Sequence, residues 1–192
     1  ALRGVPTVVP DLVVVRRVDG RQAESAVVVR ERTEAVPLDR FLRAETSRAR
    51  RCAAVEAYAR LARRMHDTGV HQDDFDPNNA LVEWVAGRPR LWLIDHERVS
   101  IRTPLSPDER AWNLAKLHRF DAATATERAR FLRAYVGRGL PDGGTWRDLV
   151  GRGLPDGGTW RDLAGRVTEA HRRVRVRDFA RAVRAAERTD RN

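Results

Sequence analysis

Asp74, Asn79 and Asp95 have the side-chain types and the spacing that phosphoryl transfer requires. Asp74 stands immediately before Phe75 in a loop rich in Asp, Asn and Pro, and Asn79 follows five residues later, at the entry to the apolar run Ala80–Val85. Asp95 stands just past a second apolar run, Leu91–Ile94. The intervening Ala86-Gly87-Arg88-Pro89 reads as a turn, so a hairpin brings Asn79 and Asp95 together at one end. In such a set one carboxylate orients or deprotonates an attacking hydroxyl. A neutral oxygen-bearing side chain and a second carboxylate hold Mg2+ on nucleotide phosphates. That ion prefers hard oxygen ligands, which sets aside the nearby His71. Taken singly, Asp and Asn in a Pro-containing loop are turn and capping residues. Their combination in this apolar setting points to chemistry, whereas Asp73 and Asp76 read as solvated loop charges.

The elements that must position these residues follow from the flanking patterns. Residues 12–18 and 25–30 are β-branched runs separated by Asp19-Gly20 and polar residues, and they read as two antiparallel strands. Thr46 or Ser47 can cap a helix in which Cys52, Val55, Ala59, Ala62 and Met65 recur at helical spacing, closed by Gly69. Residues 70–79 read as a loop. After Pro104 the pattern is helical: 107–119, 125–136 and about 159–187. Strands first and helices later predict an α+β architecture. Trp84, Trp92 and Trp112 read as core or interface aromatics, and His66 as packed against the loop that carries Asp74. The 14-residue segment at 136–149 is repeated without change at 150–163. Two copies are too few for a solenoid; one copy is expected to continue the fold and the other to form an exposed insertion.

Composition bounds the rest. The chain has 192 residues, 42% of them hydrophobic and 33% charged, which fits a folded globular domain. No apolar run approaches the roughly 20 residues of a membrane helix. A lone cysteine, Cys52, rules out a disulfide framework within one chain and speaks against a cysteine zinc cluster, so a cytoplasmic location is expected. The net charge is +10, and all but one of the 37 basic residues are arginine. That bias reads mainly as a compositional habit. The arginines are spread along the chain with no reader motif, so nucleic-acid binding is not expected.

Residues 65–82 (MHDTGVHQDDFDPNNALV) and 91–99 (LWLIDHERV) together resemble the catalytic core of the protein-kinase-like superfamily. Within it they most resemble the lipopolysaccharide kinases, the Kdo and heptose kinases. MHDTGV, the Leu-Ile-Asp-x-x-Arg phrase with Arg98, and WNLAKLHRF at 112–120 carry that likeness, which spans roughly residues 8–135. The spacing from His66 and Gly69 places Gln72 at the family's histidine, Asp73 at its arginine and Asp74 at its catalytic aspartate. Asn79 and Asp95 then fall at the metal ligands. A second register, His71-x-Asp73 with Asn78, has the same five-residue spacing and keeps the histidine; Phe75, Pro77 and Leu81-Val82 favour the first. The resemblance implies ATP and Mg2+ as cofactors, with a sugar or glycolipid acceptor. An arginine-rich surface would suit an anionic glycolipid at the inner face of the cytoplasmic membrane. Aminoglycoside- and choline-type kinases share this logic and remain alternatives.

Kinases of this superfamily carry a Gly-rich loop over the nucleotide and a third-strand lysine on its phosphates. Here no G-x-G-x-x-G precedes residue 30, and the single lysine, Lys116, lies beyond Asp95. Residues 1–33 are therefore expected to be a remnant of an N-terminal lobe with its hinge, and 34–192 a kinase-like C-terminal lobe. Val29, Glu31 and Thr33 would offer hinge backbone to adenine. Because the chain also starts at Ala1, the expectation is a fragment with little or no kinase activity; a degenerate, pseudokinase-like binding module is the alternative.

Overall fold

The computed structural model describes residues 3–96, 98–102, 105–116, 120–136, 165–167, 169, 170, 172 and 173. Strands β1 (Pro10–Val18) and β2 (Arg21–Val29) form an antiparallel hairpin. Its turn residues, Asp19 and Gly20, both lie at positive φ (51° and 75°), the backbone that Asp-Gly supplies to a two-residue turn. Turn geometry thus starts β2 at Arg21, earlier than its apolar run suggests. The hairpin leaves Leu12, Val13, Val14, Val27 and Val28 each about half exposed, on both faces of the ribbon.

The rest of the described chain forms a packed body. Strand β3 (Val36–Pro37) leads directly into helix α1 (Leu38–Ala44), and Ser47 caps helix α2 (Arg48–Asp67) by accepting from the Arg50 amide. Gly69, at φ 75°, turns the chain out of α2. Residues 70–72, expected as loop, form strand β4 (Val70–Gln72), which pairs antiparallel with β7 (Val99–Ile101). All of β4 is buried, so it lacks the alternation that marks a strand in sequence.

Strands β5 (Ala80–Val85) and β6 (Arg88–Leu93) form the expected hairpin, with β3 on the other edge of β5. Residues 5–8 lie along β6: Leu93 N donates to Pro6 O at 2.9 Å, Thr7 bridges Leu93 in parallel, and Val5 is fully buried in the core. So the start of the described chain is docked on the body, apart from the ribbon that follows it.

Helix α3 (Pro107–Ala115) begins with a capping box between Ser106 and Glu109, and α4 (Ala125–Val136) packs on α2. The expected continuation of α3 to 119 falls partly on residues 117–119, outside the described residues, as do 137–164 with nearly all of the duplicated segment. Of the helix expected at about 159–187, residues 165–167, 169, 170, 172 and 173 are helical.

Tyr58 centres the core, stacked on Phe75 at 5.0 Å and edge-on to Phe120 and Phe131. Arg51 staples α2 to α4: its guanidinium makes two 2.8 Å bonds to the Glu127 carboxylate and also reaches the carbonyls of Leu42 and Ala122.

Candidate active site

Phe75 is the anchor of the Asp74 loop. Its ring is buried against Tyr58, which fixes the backbone on both sides and leaves Asp74 half-buried at the surface of the core. The chain then makes a short 3-10 turn, Pro77–Asn79, capped by the Asp76 carboxylate. Asp76 accepts from both the backbone N–H and the side-chain amide of Asn78, so it is a cap and only half exposed. That bond occupies the Asn78 side chain locally.

Asn79 is held quite differently. Its Nδ2 donates to the Asp74 carbonyl at 3.0 Å, and its own carbonyl accepts from Ile94 N at 2.9 Å. The first bond turns the amide nitrogen towards the Asp74 loop; the second sets the residue before Asp95 against it. Asp95 sits at φ 59°, a left-handed backbone that a non-glycine residue adopts at a cost of order 1–3 kcal/mol. Gln72 Nε2 donates to the Asp95 carbonyl at 2.8 Å and holds it there. Asp74, Asn79, Asp95 and Gln72 are thus tied together by short bonds within and between two segments of chain, 72–79 and 94–95.

Behind this cluster lies a buried polar network around His66, wider than its packing against the Asp74 loop. His66 is buried, with Nδ1 2.7 Å from Tyr135 Oη and Nε2 3.2 Å from Asn113 Oδ1. Asn113 Nδ2 donates to the Gln72 carbonyl at 3.0 Å and faces His71 Nε2 at 3.2 Å. Burial pushes the His66 imidazole down to about 3, its bond to Asn113 opposing, so it is neutral at ordinary pH. Asn113 is the residue that sequence reasoning missed. The available signal was an amide on the buried face of α3, beside Ala111, Leu114 and Ala115. Arg98 enters through its backbone, its carbonyl accepting from Asp73 N at 2.9 Å, while its side chain is exposed.

Val29, Glu31 and Thr33 lie exposed at the end of β2 and in the linker to β3, and no described bond joins them to the Asp74 cluster. The linker itself is pinned by Arg32, whose guanidinium lies 3.4 Å over the Trp92 ring and 3.6 Å from Glu83. Trp92 in turn donates to Glu83. On the far side of β6, Thr7 Oγ1 bonds Leu93 O and His96 Nε2, tying residues 5–8 to the segment that carries Asp95.

The donor set fits a nucleotide-borne Mg2+. Asn79 has its nitrogen committed to Asp74 O, so Oδ1 is the atom that could meet a cation, and Asp95 is exposed. Two protein oxygens completed by phosphate and water are what this ion takes. Among the described residues no group of three or more His, Cys, Asp or Glu side chains is arranged to hold a metal alone.

The model of the Lipopolysaccharide kinase (Kdo/WaaP) family matches residues 2–135. The chain belongs to that family. Among solved structures, WaaP in complex with acyl carrier protein is similar with a TM-score of 0.62 and 28% sequence identity, over 89% of this chain and 69% of that one. No curated protein matches significantly. Kdo/WaaP kinases are phosphotransferases acting on sugar hydroxyls, and the small sheets and helices described above have the corresponding protein-kinase-like α+β fold.

Proposed function

We propose that this chain presents the base and metal-holding residues of an ATP- and Mg2+-dependent kinase acting on a sugar hydroxyl of the lipopolysaccharide core or a similar acceptor. The observation that carries this reading is the bonded set Asp74–Asn79–Asp95–Gln72, built around one exposed and one half-buried carboxylate. Asp74 orients the acceptor hydroxyl and takes its proton at a carboxylate oxygen. Asn79 Oδ1 and the Asp95 carboxylate hold the ion. When bound, Mg2+ neutralises charge on the phosphates as transfer proceeds. Gln72 does the work of the family's histidine by a side-chain amide bond to the Asp95 carbonyl. His66 and Asn113 support it from behind. The linker at Val29, Glu31 and Thr33 presents its backbone to adenine, with residues 1–33 acting as N-lobe remnant and hinge and 34–192 as the C-terminal lobe.

No lysine precedes Lys116, so the 192-residue chain has no third-strand lysine for the nucleotide phosphates. We therefore expect slow turnover by this chain alone, well below the roughly 1–100 per second of ordinary kinases. The same feature favours a second reading, a non-catalytic nucleotide-binding module. A net charge of +10 supports contact with anionic glycolipid at the inner membrane face. Among the described residues no helix is long and apolar enough to cross a membrane. WaaP was solved with an acyl carrier protein, and a protein partner of this kind is carried over here as a proposal.

The test is transfer from γ-labelled ATP to de-acylated lipopolysaccharide, with protein in excess so that slow turnover is read. Asp74→Asn is expected to lower the rate about 10²–10⁴-fold, the usual contribution of a positioned base. Asp73→Asn should lower the rate far less than Asp74→Asn does. A larger fall for Asp73→Asn would move the site to His71, Asp73 and Asn78. No transfer at all, with a Mg2+-dependent thermal shift on adding ATP, would favour the binding module.

A further inference from the structure

A cavity of about 560 Å³ opens beside the Asp74 loop, between β4, α3 and the helical residues Gly165, Arg166, Glu169, Ala170 and Arg173, and the proposed phosphoryl-transfer residues are not among its described lining. Its size is within the range of small-molecule sites, about 300–1,000 Å³. Asp73, one residue before the proposed base, forms part of its wall.

Three features of the wall identify a ligand class. The first is His71, which is 4% exposed and lines the cavity. Asn113 Nδ2 donates to its Nε2, so the ring proton sits on Nδ1. Among the described residues that Nδ1–H meets no hydrogen-bond acceptor, and an Asp73 oxygen lies 3.5 Å away. A buried donor of this kind needs a partner, and a ligand hydroxyl supplies one. The second is Trp112, a half-buried indole that packs beside Ala115 and Ala170 and also lines the cavity. Its flat apolar face suits the C–H face of a pyranose.

The third feature is charge. The described lining carries three arginines, Arg102, Arg166 and Arg173, against four carboxylates. Each arginine is already joined to a carboxylate, among them Arg102 to Glu109 and Arg166 to Asp108. Paired guanidinium and carboxylate groups offer donors and acceptors side by side, as vicinal hydroxyls require. Among the described lining residues every guanidinium is matched by a carboxylate, which leaves no surplus positive charge for an anion.

We propose that this cavity is a subsite for an uncharged, polyhydroxylated sugar ring, stacked on Trp112 and hydrogen-bonded to His71 Nδ1–H and the Asp73 carboxylate. Its assignment to the acceptor, as the ring next to the one phosphorylated, rests on the phosphotransferase reading above. The sugar ring is held by the α3 side of the loop while the reacting hydroxyl is presented to Asp74.

The full chain, without nucleotide, is titrated with a dephosphorylated, de-acylated lipopolysaccharide core oligosaccharide, following the tryptophan indole N–H resonances by NMR. The Trp112 signal is expected to shift while those of Trp84 and Trp92 stay in place. The phosphorylated form of the same oligosaccharide should bind more weakly. Trp112→Ala should weaken binding by about tenfold or more, the scale of one aromatic platform, and Trp112→Phe should restore most of it. Should Trp112→Ala fail to fold, the wild-type shifts and Trp112→Phe still decide the matter. No shift at Trp112, equal shifts at all indoles, or tighter binding of the phosphorylated form would each overturn the subsite. Loss of transfer in Asp74→Asn without a Trp112 shift would sink the subsite alone. A Trp112 shift with transfer indifferent to Asp74→Asn would leave the subsite standing and sink the kinase reading.

Discussion

The β1–β2 hairpin and the body built on α2 contain the same kinds of residue and use them in opposite ways. In the body, apolar side chains from α1, α2, β5, β6 and α4 meet in one cluster around Tyr58, and polar groups inside it, such as His66 and Asn113, bond one another. In the hairpin, valines and Leu12 are about half exposed on both faces. A two-stranded ribbon has no second layer to bury them against and is marginal alone. The lesson is that regular backbone pairing and apolar composition do not make a core; a second layer does. The proposed catalytic and metal-holding residues all sit on the body, so their geometry does not depend on the ribbon. The linker proposed to face the nucleotide is anchored at one end by Arg32 on Trp92 and continues at the other from the ribbon.

The contrast can be broken or sharpened by experiment. The largest effect is expected from Phe75→Ala, which removes a buried ring stacked on Tyr58: about 3–5 kcal/mol in urea denaturation. Acid should act next, through the body. The bonds from Arg51 hold Glu127 down at about 2 from an ordinary 4.5, so its stabilisation is complete above pH 4.5 and lost as pH falls towards 2. Burial holds His66 at about 3 from an ordinary 6.5; the unfolded chain takes up a proton below 6.5 while the folded one resists. Both lower stability as acid is added, each by roughly 3–5 kcal/mol, and Arg51→Met should flatten the limb below pH 4.5.

A third step is Asn113→Ala, which strips partners from His66, His71 and the Gln72 carbonyl. It should cost about 1–3 kcal/mol and weaken nucleotide-dependent thermal stabilisation beyond that loss. The smallest effect is expected on the ribbon, where Val14→Thr or Val27→Thr should change stability by less than about 0.5 kcal/mol. A cost at Val14 comparable to that at Phe75 would mean the ribbon is covered in solution, and the comparison would fail.

Much of this was legible in the residues. Apolar runs and an Asp-Gly turn mark the first hairpin, Ser47 marks the start of α2, and the β5–β6 hairpin places Asn79 beside Asp95. What stayed hidden was set by long-range burial. Strand β4 is buried at every position and shows no alternation. Residues 5–8 dock on β6 through backbone bonds, which side-chain patterns do not report. Asn113 works because α2 and β4 both meet its amide; its place on the buried face of α3 marks it as partnered but does not say with what.

The central claim is that Asn79 and Asp95 hold the metal of a bound nucleotide beside Asp74. Mn2+ relaxation enhancement on the full chain with ATP reads this directly. The account predicts Mn2+-dependent broadening of the amides of Asn79, Ile94 and Asp95, abolished by Asp95→Asn. Broadening centred on His71, Asp73 and Glu109, or none that requires ATP, would contradict it.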